Sequence, residues 1–241
     1  MPHNNLLRFR ALPTCLRPPT WLLCLILALA MGAMLLPARR AAAIDESRLL
    51  ATYARYRPGN LQPFRDWQAM LHDSQAAAAG DKLRRVNEFF NRRIQFGDDQ
   101  QIWNKSDYWA TPMETLAKGA GDCEDFAIAK YFSLLALGMP VEQLRLIYVK
   151  ARIGGPSSLI QQAHMVLAYY ATPDAEPLVL DSLLTEIRPA SRRPDLQPVF
   201  SFNSEGVFAG ASATAAAGPG GVGSISRWQE LLQRAYAEGF Q

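Results

Sequence analysis

The spacing of apolar residues changes once along this chain, and the change limits the folds that the chain can adopt. In the first half, apolar residues recur at helical spacing over residues 45–56, 63–75 and 81–96. In the second half, short runs rich in Val, Ile, Leu and Tyr occupy residues 144–152, 163–171 and 177–183. Turn sequences separate these runs, as in an antiparallel meander. Helices that precede strands, instead of alternating with them, predict an α+β fold.

Two further helices are predicted between these halves. Thr111-Pro112-Met113-Glu114 has a capping-box pattern with proline at the first helical position, and this short helix should end at Gly119. A longer helix begins near Cys123 and contains the sequence FAIAKYFSLLALG. Because this sequence is apolar on almost every side, we expect the helix to be buried.

The first 43 residues have the pattern of a secretory signal peptide. Arg8, Arg10 and Arg17 precede the apolar run 21–36, and small residues end the segment at Ala43. The run is shorter than the roughly 20 apolar residues of a membrane span. We therefore expect cleavage after Ala43 and no stable membrane insertion afterwards; an uncleaved anchor is the alternative.

The remainder, residues 44–241, is predicted to be one domain. It contains a Gly/Ala-rich segment at 206–224, interpreted as flexible, and a final helix at 226–239. Without the leader, 20 Lys and Arg face 22 Asp and Glu, so the formal charge changes from +3 to −2. No basic stripe remains, which argues against nucleic acid as a partner.

Cys123 is the only cysteine of the mature chain, because Cys15 and Cys24 belong to the leader. In an oxidising compartment a lone thiol must be buried or used. The start of a helix favours a thiolate, but Asp122, Glu124 and Asp125 surround this one and disfavour it. Either Cys123 is an inert apolar residue, or another group neutralises these acids.

His164 and Asp181 are the candidate partners of the thiol. His164 begins one predicted strand and Asp181 ends the next, so a hairpin of the two strands would bring them close together. Asp174 is the competing acid, but it lies in a turn, and His72 lies on a polar helix face. Each of these residues also has an ordinary structural explanation.

The order Cys, His, Asp on a buried helix followed by antiparallel strands is the layout of the papain and transglutaminase-like superfamily. Three segments of this chain carry a more specific resemblance: KSDYWATPMETLAKGAGDCEDFAIAKYFSL, AHMVLAYY and PLVLDSL. They resemble the bacterial transglutaminase-like cysteine proteinases of the LapG type over nearly all of residues 45–203. The resemblance implies a papain/transglutaminase-like fold, with the cysteine at a helix N-terminus packed on an antiparallel sheet.

The resemblance also implies a function. Cys123, His164 and Asp181 would be catalytic, and a calcium ion would be held by Asp122 and Glu124, with Asp125 as a further candidate. Members of this family are periplasmic and cleave a large surface adhesin near its N-terminus, which releases the adhesin and promotes biofilm dispersal. The periplasmic domain of an inner-membrane cyclic di-GMP receptor sequesters them.

Several alternatives remain open from the residues alone. The acids beside Cys123 are also what a helix N-terminus without any metal would carry. A transglutaminase or amidase would use the same three catalytic residues, and a non-catalytic calcium-binding module would use the acids alone. The Cys123 N–H is one expected oxyanion donor, while Trp103, Asn104 and Trp109 are unranked candidates for a second.

Overall fold

A computed structural model describes residues 44–211 and 226–241; the predicted signal peptide lies outside the described residues. Within these ranges the helices are α1 Glu46–Tyr56, α2 Gln62–Ser74, α3 Ala79–Arg93, α4 Asp99–Ile102, α5 Pro112–Lys118, α6 Cys123–Ala136 and α7 Ser226–Glu238. The strands are β1 Gln95–Phe96, β2 Ala120–Gly121, β3 Leu144–Arg152, β4 Gln161–Tyr169, β5 Leu178–Leu180, β6 Arg188–Pro189, β7 Leu196–Phe202 and β8 Val207–Ala209. Among the described helices, none combines the length and apolar character needed to cross a bilayer.

The six strands from β3 to β8 form one antiparallel sheet in the order β6-β5-β4-β3-β7-β8. The predicted strands at 144–152, 163–171 and 177–183 correspond to β3, β4 and β5, and the α+β class is confirmed. The predicted meander of β3, β4 and β5 is confirmed, and β6 extends it by one strand. The chain then returns across the sheet, and β7 pairs with β3 on the side opposite β4.

Helix α6 lies in the centre of the molecule, packed between α3, α5 and the sheet strands β3 and β4. Its apolar side chains are buried on nearly every side, as the sequence predicts. Aromatic side chains extend this core towards the end of the chain, where Trp228 of α7 packs on Tyr131, Phe132 and Phe202. Because these large apolar side chains are buried together, α6 and its first residue are held in a fixed place against the sheet.

The opposite face of the sheet carries a second, smaller apolar cluster. Its residues alternate with those that face the helices, as expected for side chains of period two along a strand. The buried members are Ile147, Val149, Val166, Ala168, Tyr170 and Val179. The central strands therefore have apolar partners on both faces and form a firm support for the residues that they carry.

Both ends of the predicted domain are attached to its body. The Asp45 N–H donates to the carbonyl of Gly239 at 2.8 Å, and the Asp45 side chain caps α1. Helix α7 corresponds to the helix predicted at 226–239. The Gly/Ala-rich segment begins with strand β8, which its composition did not predict, and residues 212–225 lie outside the described residues.

Candidate active site

The position of Cys123 is set by the end of α5 and the start of α6, which are only a few residues apart. Thr111 caps α5 through the predicted capping box, and Gly119 ends α5 in the left-handed conformation, with φ of 70°. The chain then forms β2 and reaches Asp122, which is the N-cap of α6. Cys123 is consequently the first residue of α6, as predicted, where the free N–H groups of a helix point outward.

The three acids beside Cys123 do different things. Asp122 Oδ1 accepts from the backbone N–H groups of Glu124 and Asp125, at 3.2 and 3.5 Å. Asp125 Oδ1 accepts from the N–H of Ala110 at 2.8 Å, outside the helix. Helix capping therefore accounts for Asp122 but not for Glu124 or Asp125.

The thiol itself is held by Glu124. Cys123 Sγ donates to Glu124 Oε2 at 2.6 Å. Burial and the neighbouring carboxylates of Glu124 and Asp122 raise the pKa of the thiol far above its ordinary value. The backbone N–H of Met165, the residue after His164, faces the sulfur and acts in the opposite direction. The neighbouring acids therefore disfavour the thiolate, which is the conflict that the sequence indicates.

Asp122 and Asp125 converge on a third carboxylate, that of Asp99. Oxygens of the three side chains lie within 4.8 Å of one another. Asp99 Oδ1 and Asp125 Oδ2 are buried and have no hydrogen-bond partner. Burial and repulsion from the neighbouring carboxylates raise the pKa of Asp125 to about 8. Burial, followed by the same repulsion, also raises the pKa of Asp122. Gly121 leaves room for this cluster, since a Cβ there would lie 2.7 Å from Asp125 Cβ.

Asp99 was not predicted from the sequence. It reaches the cluster because β1 pairs in parallel with β2, which places Gln95 beside Ala120 and Phe96 beside Gly121. A two-residue strand has no periodicity to detect, and a pairing between positions so far apart leaves no local pattern. The only signal was the acidic pair Asp98-Asp99 itself.

His164 and Asp181 meet in the way that the predicted hairpin requires. Strands β4 and β5 are antiparallel neighbours, and His164 Nε2 lies 2.7 Å from Asp181 Oδ1. The two residues are 4% and 1% exposed. Because a carboxylate can only accept, His164 Nε2 carries the hydrogen of this bond, and Nδ1 is the nitrogen that can act as a base.

Asp181 is fixed by several further contacts. Its Oδ2 accepts from Arg193 at 2.7 Å, and its Oδ1 also accepts from the N–H of Leu183 at 3.0 Å. Its backbone carbonyl accepts from Asn91 and from the fully buried ammonium group of Lys130. Burial alone would raise the pKa of Asp181, but the bonds to His164, Leu183 and Arg193 lower it below its usual range.

Sequence reasoning missed Arg193, Lys130 and Asn91. Arg193 follows a short 3₁₀ turn at Ala190–Arg192 and is buried, with its guanidinium shared between Asp181 and Asp195. In the sequence it is one of several arginines in a polar stretch, and nothing local distinguishes it. Lys130 is a charged residue inside an apolar helix, which is a signal that could have been used.

The competing candidates lie elsewhere. Asp174 is exposed in the turn before β5, and the side chain of His72 is 90% exposed on α2. Of the three residues considered for the oxyanion site, Trp109 stacks on Phe202 and Asn104 accepts from Gln100. Trp103 lies against Tyr108, with its indole N–H unpartnered.

The donor set around Cys123 suits a hard divalent cation. Calcium takes several oxygen ligands from carboxylates and backbone carbonyls, and it tolerates irregular geometry. Two buried carboxylate oxygens without partners are costly groups that such an ion would satisfy. Asp99, Asp122 and Asp125 form the tighter all-carboxylate group, whereas Glu124 groups with Asp122 and the Cys123 thiol.

Comparison with known proteins adds a family and solved structures. The family described as bacterial transglutaminase-like cysteine proteinase BTLCP matches residues 65–194. Legionella pneumophila LapG treated with EGTA is 36% identical with a TM-score of 0.69, over 81% of this chain and all of that chain. Calcium-bound LapG from the same organism is 36% identical with a TM-score of 0.64, over 79% and 99%. No curated protein sequence matches at a significant level.

Proposed function

Because the chain belongs to the bacterial transglutaminase-like cysteine proteinases, we propose that it is a calcium-dependent endopeptidase with Cys123 as nucleophile, His164 as base and Asp181 as orienting acid. The observation that carries this proposal is the 2.7 Å hydrogen bond between His164 Nε2 and Asp181 Oδ1. His164 lies on β4, and the backbone N–H of the next residue, Met165, faces the Cys123 sulfur.

The proposed chemistry follows from these positions. His164 Nδ1 takes the proton of the Cys123 thiol, and the sulfur attacks the substrate carbonyl to form a tetrahedral intermediate. The Cys123 N–H, at the first position of α6, is one donor to the oxyanion. His164 then gives its proton to the leaving amine, and the resulting acyl-enzyme is hydrolysed by water. Asp181 keeps the imidazole in the required tautomer and stabilises its protonated form.

Asp99, Asp122 and Asp125 are the residues that we expect to hold calcium, with Glu124 as the fourth acid within reach. A bound calcium ion would supply positive charge that offsets the effect of these carboxylates on the thiol. Glu124 Oε2 accepts a hydrogen bond from the Cys123 thiol at 2.6 Å, so this bond has to break before the thiol can give its proton to His164.

The remaining elements of the proposal concern location. We expect residues 1–43 to direct export and to be removed after Ala43, leaving residues 44–241 as a single periplasmic domain. The contact between Asp45 and Gly239 is compatible with this boundary, because it needs no residue before Ile44. Amino-terminal sequencing of the exported protein should begin at Ile44, and a start within the leader would contradict the boundary.

The family resemblance further suggests the substrate and a partner. We expect cleavage of a large surface adhesin near its N-terminus, which would release the adhesin and promote biofilm dispersal. We also expect the periplasmic domain of an inner-membrane cyclic di-GMP receptor to sequester the enzyme. Co-elution of that domain with the Cys123→Ala protein would support the second expectation, and independent elution at micromolar concentrations would contradict it.

The proteolytic function is tested with the purified mature protein and the host's adhesin. Calcium should allow cleavage into discrete fragments, a chelator should stop it, and added calcium should restore it. The Cys123→Ala protein in calcium is the matched control and should leave the adhesin intact. An uncleaved adhesin in calcium, or unchanged cleavage in excess chelator, would overturn the proposal.

A further inference from the structure

Strand β4 is paired along its whole length on one side only. β3 pairs with β4 from Gln161 to Tyr169, whereas β5 pairs only with residues 167–169 on the other side. Within residues 44–211 and 226–241, no other strand pairs with β4. Residues 161–166 therefore form an open sheet edge, which is exposed at residues 161–163 and buried from His164 onwards.

Hydrogen bonds just beyond the two ends of the β3–β4 ladder fix which residues face this edge. Ile153 donates to the carbonyl of Ile160 at 3.0 Å, and Tyr170 donates to that of Gln143 at 2.8 Å. In an antiparallel ladder, such bonded pairs alternate with pairs whose backbone groups point away from the partner strand. Counted from either end, the residues of the open segment that point away from β3 are Gln161, Ala163 and Met165.

The open edge leads directly to the thiol. Met165 is the outward residue whose N–H faces the Cys123 sulfur, and α6 packs against β4. Ala163 is the next outward residue, about 7 Å further along the strand at the usual rise per residue. Its N–H and C=O accordingly point to the space beside the position where a substrate carbonyl would be attacked.

Among the described residues, this edge lacks the features that normally protect one. Proteins shield open edges with lysine, proline, bulges or a covering segment. The sequence from Leu159 to Ala163 is LIQQA, without charge or proline, and residues 161–163 are exposed. Leu159 and Ile160, directly before β4, are 97% and 67% exposed despite being apolar. An unprotected edge beside a nucleophile is a surface suited to another strand.

We propose that the open edge of β4 binds the protein substrate as an additional β-strand, so that the enzyme recognises an extended backbone segment next to the cleaved bond. Ala163 and Gln161 would each exchange hydrogen bonds with alternate substrate residues, and Leu159 and Ile160 would contact apolar substrate side chains. Main-chain bonds of this kind give affinity that depends little on sequence. The inference rests on the proposed proteolytic function, whose failure has a separate outcome below.

The first test removes one outward donor. Ala163→Pro deletes an N–H that β3 does not use, and proline is tolerated at sheet edges. With the host's adhesin as substrate, kcat/KM should fall on the order of tenfold, the upper range for one net hydrogen bond. Gln162→Ala is the matched control, because the Gln162 backbone faces β3, and its kcat/KM should stay within about twofold of the parent.

Iodoacetamide labelling of Cys123 and the melting temperature report whether the Ala163→Pro protein is intact. Labelling at the parent rate together with tenfold slower cleavage would support the proposal, since the small reagent needs no edge. Cleavage at the parent rate by an intact Ala163→Pro protein would overturn it. A variant that fails to fold leaves the decision to the peptide experiment.

The second test uses the parent enzyme with synthetic peptides that span the cleavage site of the adhesin. Methylation of one backbone nitrogen at a time should slow cleavage at every second position, because alternate residues of a strand face the enzyme. Equal rates along the series, or an unmethylated peptide that is not cleaved although the adhesin is, would overturn strand addition. An adhesin that the parent does not cleave would instead refute the proposed function.

Discussion

The two halves of the candidate site differ in how completely their polar groups are partnered. On the sheet side, both carboxylate oxygens of Asp181 accept hydrogen bonds, from His164 and Arg193, and the residues are almost fully buried. On the helix side, Asp99 and Asp125 each keep a buried oxygen without a partner, and Glu124 holds the Cys123 thiol.

Folding alone therefore gives the polar groups of the sheet half their partners, but it leaves carboxylate oxygens of the helix half without any. The His164–Asp181 pair is positioned by a hairpin and held by Arg193, so the protein chain supplies everything that the pair needs. The acids around Cys123 repel one another and disfavour the thiolate. A cation is the simplest addition that satisfies their free oxygens and reverses their effect.

The largest effect is expected for Cys123→Ala, which removes the nucleophile. Proteolysis of the adhesin should be abolished, while the protein remains folded, because the side chain is small and only partly buried at the start of α6. A cleavage assay and a thermal melt check both parts. Cleavage by the Cys123→Ala protein at the parent rate would exclude Cys123 as the nucleophile.

The second prediction concerns the orienting acid. Asp181→Asn should reduce kcat by a large factor, since the equivalent change in a serine protease triad costs about 10⁴-fold through the wrong histidine tautomer. Asp174→Asn is the control, because Asp174 is exposed in a turn. Steady-state kinetics of the two variants show which acid orients His164, and equal activities would show that Asp181 does not.

Arg193 tests whether the sheet half depends on its buried ion pair. Arg193→Met should destabilise the protein by about 3–5 kcal/mol, because it leaves the Asp181 charge buried with one partner fewer. Arg188→Met is the control, since Arg188 pairs with Glu186 at the surface, where such pairs contribute about 1 kcal/mol or less. Urea unfolding at neutral pH measures both, and equal losses would contradict a special role for Arg193.

The same variant has a predicted pH dependence. The folded-state pKa of Asp181 is lowered, so its ionised form contributes stability above its unfolded pKa of about 3.9, and that contribution is lost as the pH falls towards the folded value. The stability difference between the parent and Arg193→Met should therefore be full at pH 7 and smaller at pH 3. A difference that stays constant would mean that Arg193 acts through packing alone.

Calcium should stabilise the helix half. An ion that binds only the folded protein raises stability by about 2.7 kcal/mol at a hundred times its Kd. Asp122→Ala, Glu124→Ala and Asp99→Asn should each reduce the calcium-induced rise in melting temperature together with activity. Asp107→Asn, in an acid that pairs with Arg227 instead, should retain both. Magnesium should substitute poorly, because it demands a tighter octahedral shell.

The sequence predicted the parts of the site that depend on local patterns. Cys123 at the start of α6 follows from the capping signals around it, and the meeting of His164 with Asp181 follows from two adjacent strands. Asp99 and Arg193 were not predicted, because each reaches the site through distant pairing or an irregular turn. The return of β7 to β3 was missed for the same reason: the partner of a strand is set by the packing of the whole sheet.

Calorimetric titration of calcium into the mature protein tests whether a cation completes the helix half of the site. We expect a saturable heat for the parent that is lost in Asp122→Ala and Asp99→Asn and retained in Asp107→Asn. The absence of calcium heat in the parent, together with adhesin cleavage that continues unchanged in excess chelator, would contradict the claim. Asp122 would then serve only as the N-cap of α6.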